Sequence, residues 1–97
     1  MTEFDPILIN MPCPTKDEAE KLCREMLATD LCGTARVTSN VHLMYKHEGE
    51  EVGEEDVVLM TLKTTQKNLK PITEYIFKNH TWSTPCIEVL PILTDMC

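Results

Sequence analysis

The stretch from Tyr45 to Thr65, YKHEGEEVGEEDVVLMTLKTT, constrains this chain more than any other. It reads as the tip and return arm of a β-hairpin. A strand pattern from Thr34 to His47 leads into it, and Gly49 and Gly53 offer turn and bulge positions. Thr, Val and Leu then dominate as far as Thr65. Each arm has about a dozen residues and so reaches roughly 40 Å at about 3.3 Å per residue. The helix patterns elsewhere have about 14 residues each, or roughly 21 Å. Helices that short cannot cover such a ribbon, and another copy of the chain is the simplest cover. The return arm agrees. Val57 and Leu59 point one way while Val58, Met60 and Leu62 point the other, whereas a sheet with one face in water alternates apolar and polar residues. Two-sided burial in a small chain predicts helices on one face, a partner on the other, and hence an oligomer.

Ninety-seven residues make one domain of near-minimal size, for which association is a common source of extra burial. Aromatic residues make up 5%, so the core is predicted to be aliphatic and methionine-rich. The formal net charge of −7 speaks against nucleic acid and anionic membrane surfaces, both of which need clustered Lys and Arg. It suits cationic partners, metal ions included. No apolar run is long enough to span a membrane. The segment Met1–Asp5 lacks the basic and apolar regions of a secretory signal. Five cysteines, at 13, 23, 32, 86 and 97, are odd in number and contain no C-x-x-C. That pattern argues against a disulfide framework and a zinc ribbon, and points to a reducing, cytoplasmic setting.

Pro6 to Met11 reads as a first strand ended by Pro12 and Pro14. Thr15-Lys16-Asp17-Glu18 reads as a capping box, with the Glu18 side chain reaching back to the cap. Ala19, Leu22, Cys23, Met26 and Leu27 then form one apolar helix face, and Gly33 closes the segment. In the second strand, Ala35, Val37, Val41, Leu43 and Tyr45 share a face, with a bulge signalled at Ser39-Asn40. The third strand runs from Asp56 to Thr65. A second helix follows to about Asn79, with Pro71 in its first turn and Leu69, Ile72, Ile76 and Phe77 as its stripe. After a loop at His80–Pro85, a last strand spans Cys86 to Ile92 and a tail Leu93 to Cys97. The order β-α-β-β-α-β predicts an α+β, ferredoxin-like sandwich with a long hairpin.

The ordered set of Leu27-Ala28-Thr29-Asp30-Leu31, Tyr45-x-x-x-Gly49, Leu62-Lys63-Thr64-Thr65, His80, Pro85 and Leu90-Pro91-Ile92 resembles the CutA divalent-cation-tolerance family over roughly residues 7–92. The resemblance implies a homotrimer built around the long hairpins, binding of copper or other divalent metal ions, and no catalysis. His47 stands where the family's tip has Trp, and His80-Thr81-Trp82-Ser83-Thr84-Pro85-Cys86 stands for its H-P-Y-x-x-P-E. The cysteine found on the first strand of some members falls at Met11, with Cys13 two residues on.

On that likeness His80, Cys86, Cys13 and Met11 are the candidate metal ligands, a soft set suited to Cu(I) or zinc. Against it stands a plain structural role for each. His42 and His47 face opposite ways on one strand and cannot share an ion; His42 with Met44 reads more readily as interface packing. The acidic tip, Glu48 to Asp56, lacks EF-hand spacing and reads as a solvated, repulsive edge. Lys63-Thr64-Thr65 before a helix start supports an alternative, a small-anion or ligand sensor of the PII type, though no glycine-rich phosphate loop accompanies it. No nucleophile elbow and no H-E-x-x-H supports an enzyme.

Overall fold

The computed structural model describes residues 5–81 and 86–94. The expected loop residues Trp82 to Pro85 and the tail cysteine Cys97 lie outside them. In order come β1 (Pro6–Cys13), α1 (Lys16–Ala28), β2 (Thr34–Tyr45), β3 (Gly53–Thr65), α2 (Leu69–Asn79) and β4 (Glu88–Pro91). One turn of 3-10 helix, Gln66–Asn68, leads into α2 and puts Pro71 in the first turn, as its missing N–H requires. The strands form one antiparallel sheet in the order β2-β3-β1-β4, the ferredoxin-like α+β arrangement.

Strand alternation builds the core. Ile7, Ile9, Met11 and Cys13 on β1 pair with Thr64, Leu62, Met60 and Val58 on β3, so all eight share one face. Ala35 and Val37 join them from β2. Ala19, Leu22, Cys23 and Met26 of α1, and Ile72 and Ile76 of α2, close over that face in a single hydrophobic cluster. The α2 stripe differs from expectation at one place. Phe77 is half exposed, and Tyr75 packs on the core instead.

β1 also runs two residues past its expected end. β4 stops pairing at Asn10, so beyond that point, among the described residues, β1 pairs with β3 alone and its other edge is open. A proline is tolerated on a free edge. Pro12 therefore stays in the strand, and Cys13 keeps the inward phase.

Thr15 caps α1 as expected, its Oγ1 accepting the Glu18 N–H at 3.2 Å. Gly33 does not end the helix. Leu31 N–H bonds Met26 O at 2.9 Å, Asp30 N–H bonds Leu27 O at 3.2 Å, and Asp30 itself takes φ of 60°. This is a Schellman ending with aspartate in the left-handed position that glycine usually fills.

The Ser39-Asn40 bulge, with Asn40 at φ 61°, changes how β2 must be read. Val37 pairs with Met60 but Val41 pairs with Val57, and those two β3 residues point to opposite sides. Val41, Leu43 and Tyr45 thus lie on the outer face, not with Ala35 and Val37. Beyond Val57 the hairpin is a two-stranded ribbon among the described residues, and the molecule measures 43 × 26 × 23 Å. The Tyr45 ring lies across Gly53, where a Cβ would come within 2.6 Å of it. On the helix side of the ribbon, out of the helices' reach, His42 Nδ1 lies 2.8 Å from Asp56 and Nε2 lies 2.8 Å from Glu54. Carboxylates only accept, so both bonds exist together only when the ring is protonated.

Two outcomes follow. Asp30→Gly relieves a left-handed aspartate beside a helix C-terminus and should stabilise the fold by roughly 1 kcal/mol, read as a higher denaturant midpoint. Bonds to Asp56, then to Glu54, hold the His42 titration above its ordinary 6.5. The stabilisation from this clamp is complete below that value and is lost as pH rises through the raised one. NMR titration of the His42 ring should show that upward shift, and Asp56→Asn with Glu54→Gln should abolish it.

Candidate metal site

Three elements meet at one end of the sheet. β1 delivers Cys13 inward, the first turn of α1 presents Glu18, and His80 follows α2 directly. One ligating atom from each, sulfur, oxygen and nitrogen, lies within 4.8 Å of the other two.

The His80 ring is fully buried. Its backbone N–H caps α2 on Ile76 O at 2.8 Å. Its Nε2 lies 3.0 Å from Pro12 O, and a carbonyl can only accept, so Nε2 carries the proton. The other ring nitrogen is Nδ1. It faces Glu18 Oε2 at 3.6 Å, beyond hydrogen-bond reach. An imidazole with one N–H anchored on a backbone carbonyl and the other nitrogen turned to an anionic group has the arrangement of a metal-bound histidine.

Glu18 is bonded by Thr81 through two groups. The Thr81 N–H donates to Oε2 at 3.2 Å, and the Thr81 hydroxyl donates to Oε1. The capping box is therefore half realised. The Thr15 hydroxyl caps Glu18, but the Glu18 carboxylate goes to Thr81.

Burial pushes the Cys13 thiol up to about 12, and the Glu18 carboxylate and Cys23 add to the effect. Cys23 is pushed up to about 11, again mainly by burial. Both are neutral thiols at pH 7, which removes the basis for a nucleophilic cysteine. A divalent cation displaces such a proton and binds the thiolate. The donor set fits zinc or copper in type. Ligands on a tetrahedral zinc with bonds of about 2.1 Å sit roughly 3.4 Å apart, and Nδ1 and Glu18 Oε2, 3.6 Å apart, are already close to that spacing.

Two of the four expected ligands, Cys13 and His80, come together. Met11 is fully buried, two residues from Cys13 on the same face and within the hydrophobic core. Cys86 is exposed and is not part of the group. The third member of the group is Glu18. In the sequence Glu18 reads as part of a helix cap; its position five residues after Cys13, in the turn that follows the strand, is the signal that ties it to the thiol.

The family model for the CutA1 divalent ion tolerance protein matches residues 7–95. The chain is similar to Protein CutA, chloroplastic, of Arabidopsis thaliana, at 27% identity over 86 residues, 89% of this chain and 47% of the relative. It is 24% identical to Protein CutA 1, chloroplastic, of Oryza sativa over 94% of this chain and 51% of the relative. It thus spans about half the length of these curated relatives. Both are described as chloroplastic, which overturns the cytoplasmic expectation. Among solved structures, CutA1 from Oryza sativa superposes with a TM-score of 0.89 at 23% identity, covering 99% of this chain and 87% of the other. The divalent cation tolerance protein from Thermus thermophilus gives 0.88 at 21%, covering 94% and 87%. The fold is common to all of them. With its family model matched along nearly its whole length, the chain belongs to the CutA1 divalent ion tolerance protein family.

Proposed function

We infer that this chain is a non-catalytic metal-binding protein that takes copper or another divalent cation at Cys13, Glu18 and His80, and works as a homotrimer. The meeting of three chemically different ligating atoms within 4.8 Å carries the first part. His80 offers Nδ1, Glu18 an oxygen with solvent contact, and Cys13 a thiolate once its proton leaves. Met11 lies behind Cys13 as a soft thioether neighbour. The acidic balance of the chain favours cations generally.

The assembly rests on the outer face. Leu8, Val41, Leu43 and Leu59 are only half buried there, and Leu90, opposite Leu8, is more exposed. These residues line the side of the sheet away from both helices and continue onto the projecting ribbon. A second copy is the economical cover, and the family resemblance supplies the number three.

The alternative of an anion sensor at Lys63-Thr64-Thr65 is less well supported. A cavity of about 910 Å³ does lie there, but Asp5 and Asp30 line it together with Lys63. The Thr64 hydroxyl is already committed, donating to Leu31 O at 2.6 Å and accepting from Asn68 at 3.1 Å.

Calorimetric titration with Zn²⁺ or Cu²⁺ should find about one ion per chain. Binding should weaken as pH falls, because protons compete for both the imidazole and the thiol. Cys13→Ser and Glu18→Gln should each weaken it at least tenfold, while Cys86→Ala leaves it unchanged. Loss of binding in Cys86→Ala with no effect of Glu18→Gln would move the site elsewhere. Light scattering at micromolar concentration should return the mass of three chains, and a stable monomer would remove the assembly reading.

A further inference from the structure

Glu18 is the member of the candidate site whose side chain reaches solvent. Cys13 is locked into the sheet, and His80 is pinned through its backbone and its ring. The Glu18 side chain is 17% exposed and borders a groove of about 320 Å³ that Asp17, Lys21, Leu22, Asn79 and Thr81 also line. Of the three donors only Glu18 faces this groove. A glutamate here has two other directions open to it. It could turn into the groove toward Lys21, three residues on, or back to the helix start as in a full capping box.

Thr81 holds it from both. Its backbone N–H takes one carboxylate oxygen and its hydroxyl the other. Each oxygen has two acceptor positions, so these bonds leave one on each oxygen free. Thr81 is also the residue next to His80, so the segment that sets the imidazole also sets the carboxylate. We propose that Thr81 is a positioning residue of the cation site. It fixes the Glu18 carboxylate toward Cys13 and His80 through two hydrogen bonds and touches no ion itself. This rests on the metal-binding reading given above. It assigns to Thr81 the outer-shell role that typically changes metal affinity 10- to 100-fold.

The test is a set of Zn²⁺ and Co²⁺ titrations on the full chain. Thr81→Ser keeps both donors and should bind like the parent. Thr81→Val keeps the N–H alone and should bind roughly tenfold more weakly. Thr81→Pro removes both donors and should approach the hundredfold end of that range. His80 has φ −78° and ψ 144°, a conformation that a residue preceding proline adopts. With Co²⁺, the thiolate charge-transfer absorption of Cys13 should persist in Thr81→Val while the ligand-field bands change, because only the carboxylate is disturbed. Metal-free melting of Thr81→Val should match the parent. If Thr81→Val binds with the parent's affinity and spectrum while Glu18→Gln is weakened, the site stands and the role of Thr81 does not. If the parent binds neither ion, the site and this inference fall together.

Discussion

The antiparallel pairing of β1 with β3, unbroken over eight residue pairs from Pro6–Thr65 to Cys13–Val58, is the interaction on which the rest of the molecule depends. It sets which side chains face the helices, and those side chains are half of the core cluster. It also carries β1 through Pro12. Had the strand stopped at Met11, Cys13 would lie in a connecting loop, and the Pro12 carbonyl would not stand where it meets the buried His80 ring. One hydrogen-bonded ladder therefore does two things. It organises an apolar interior, and it brings a thiol and an imidazole to the same end of it.

The candidate site uses burial and polarity against each other. A fully buried imidazole and a fully buried thiol are compatible with an apolar interior while both are neutral. The Glu18 carboxylate keeps some contact with water and two bonds to Thr81, so its charge is tolerated. A cation entering among them would meet a carboxylate at the surface and an imidazole and a thiol behind it. The energetic cost of extracting the thiol proton is then set against the gain of placing a positive charge next to a carboxylate in a poorly solvated place.

Much of the fold was legible from periodicity alone. The helix face from Ala19 to Met26, the cap at Thr15 and the alternation of β3 all follow local rules that tertiary contacts did not override. Three features were not legible, each for a physical reason. The phase of β2 beyond Asn40 is decided by its partner strand, so its own odd-numbered apolar residues mislead. The end of α1 rests on Asp30 in a conformation that composition does not mark. Glu18 carried a sufficient local explanation as a cap, which concealed its meeting with a residue 63 positions away. His80 and Cys13 were named on the family likeness, which offered no such pointer to Glu18, one carboxylate among many in an acidic chain.

The bulge in β2 divides one strand between two environments. Val37 and Val41 look equivalent in the sequence, being aliphatic and four residues apart, yet one belongs to the interior of the chain and the other to its outer surface. Polar replacements at the two positions would therefore fall into separate classes. At Ala35 or Val37 they would act on the chain's own stability, as any core change does. At Val41 or Leu43 they would leave the monomer's interior intact and alter only what shares the outer face. A single extra residue thus divides one strand between the chain's interior and its outer surface, and lets the two stretches drift independently under selection.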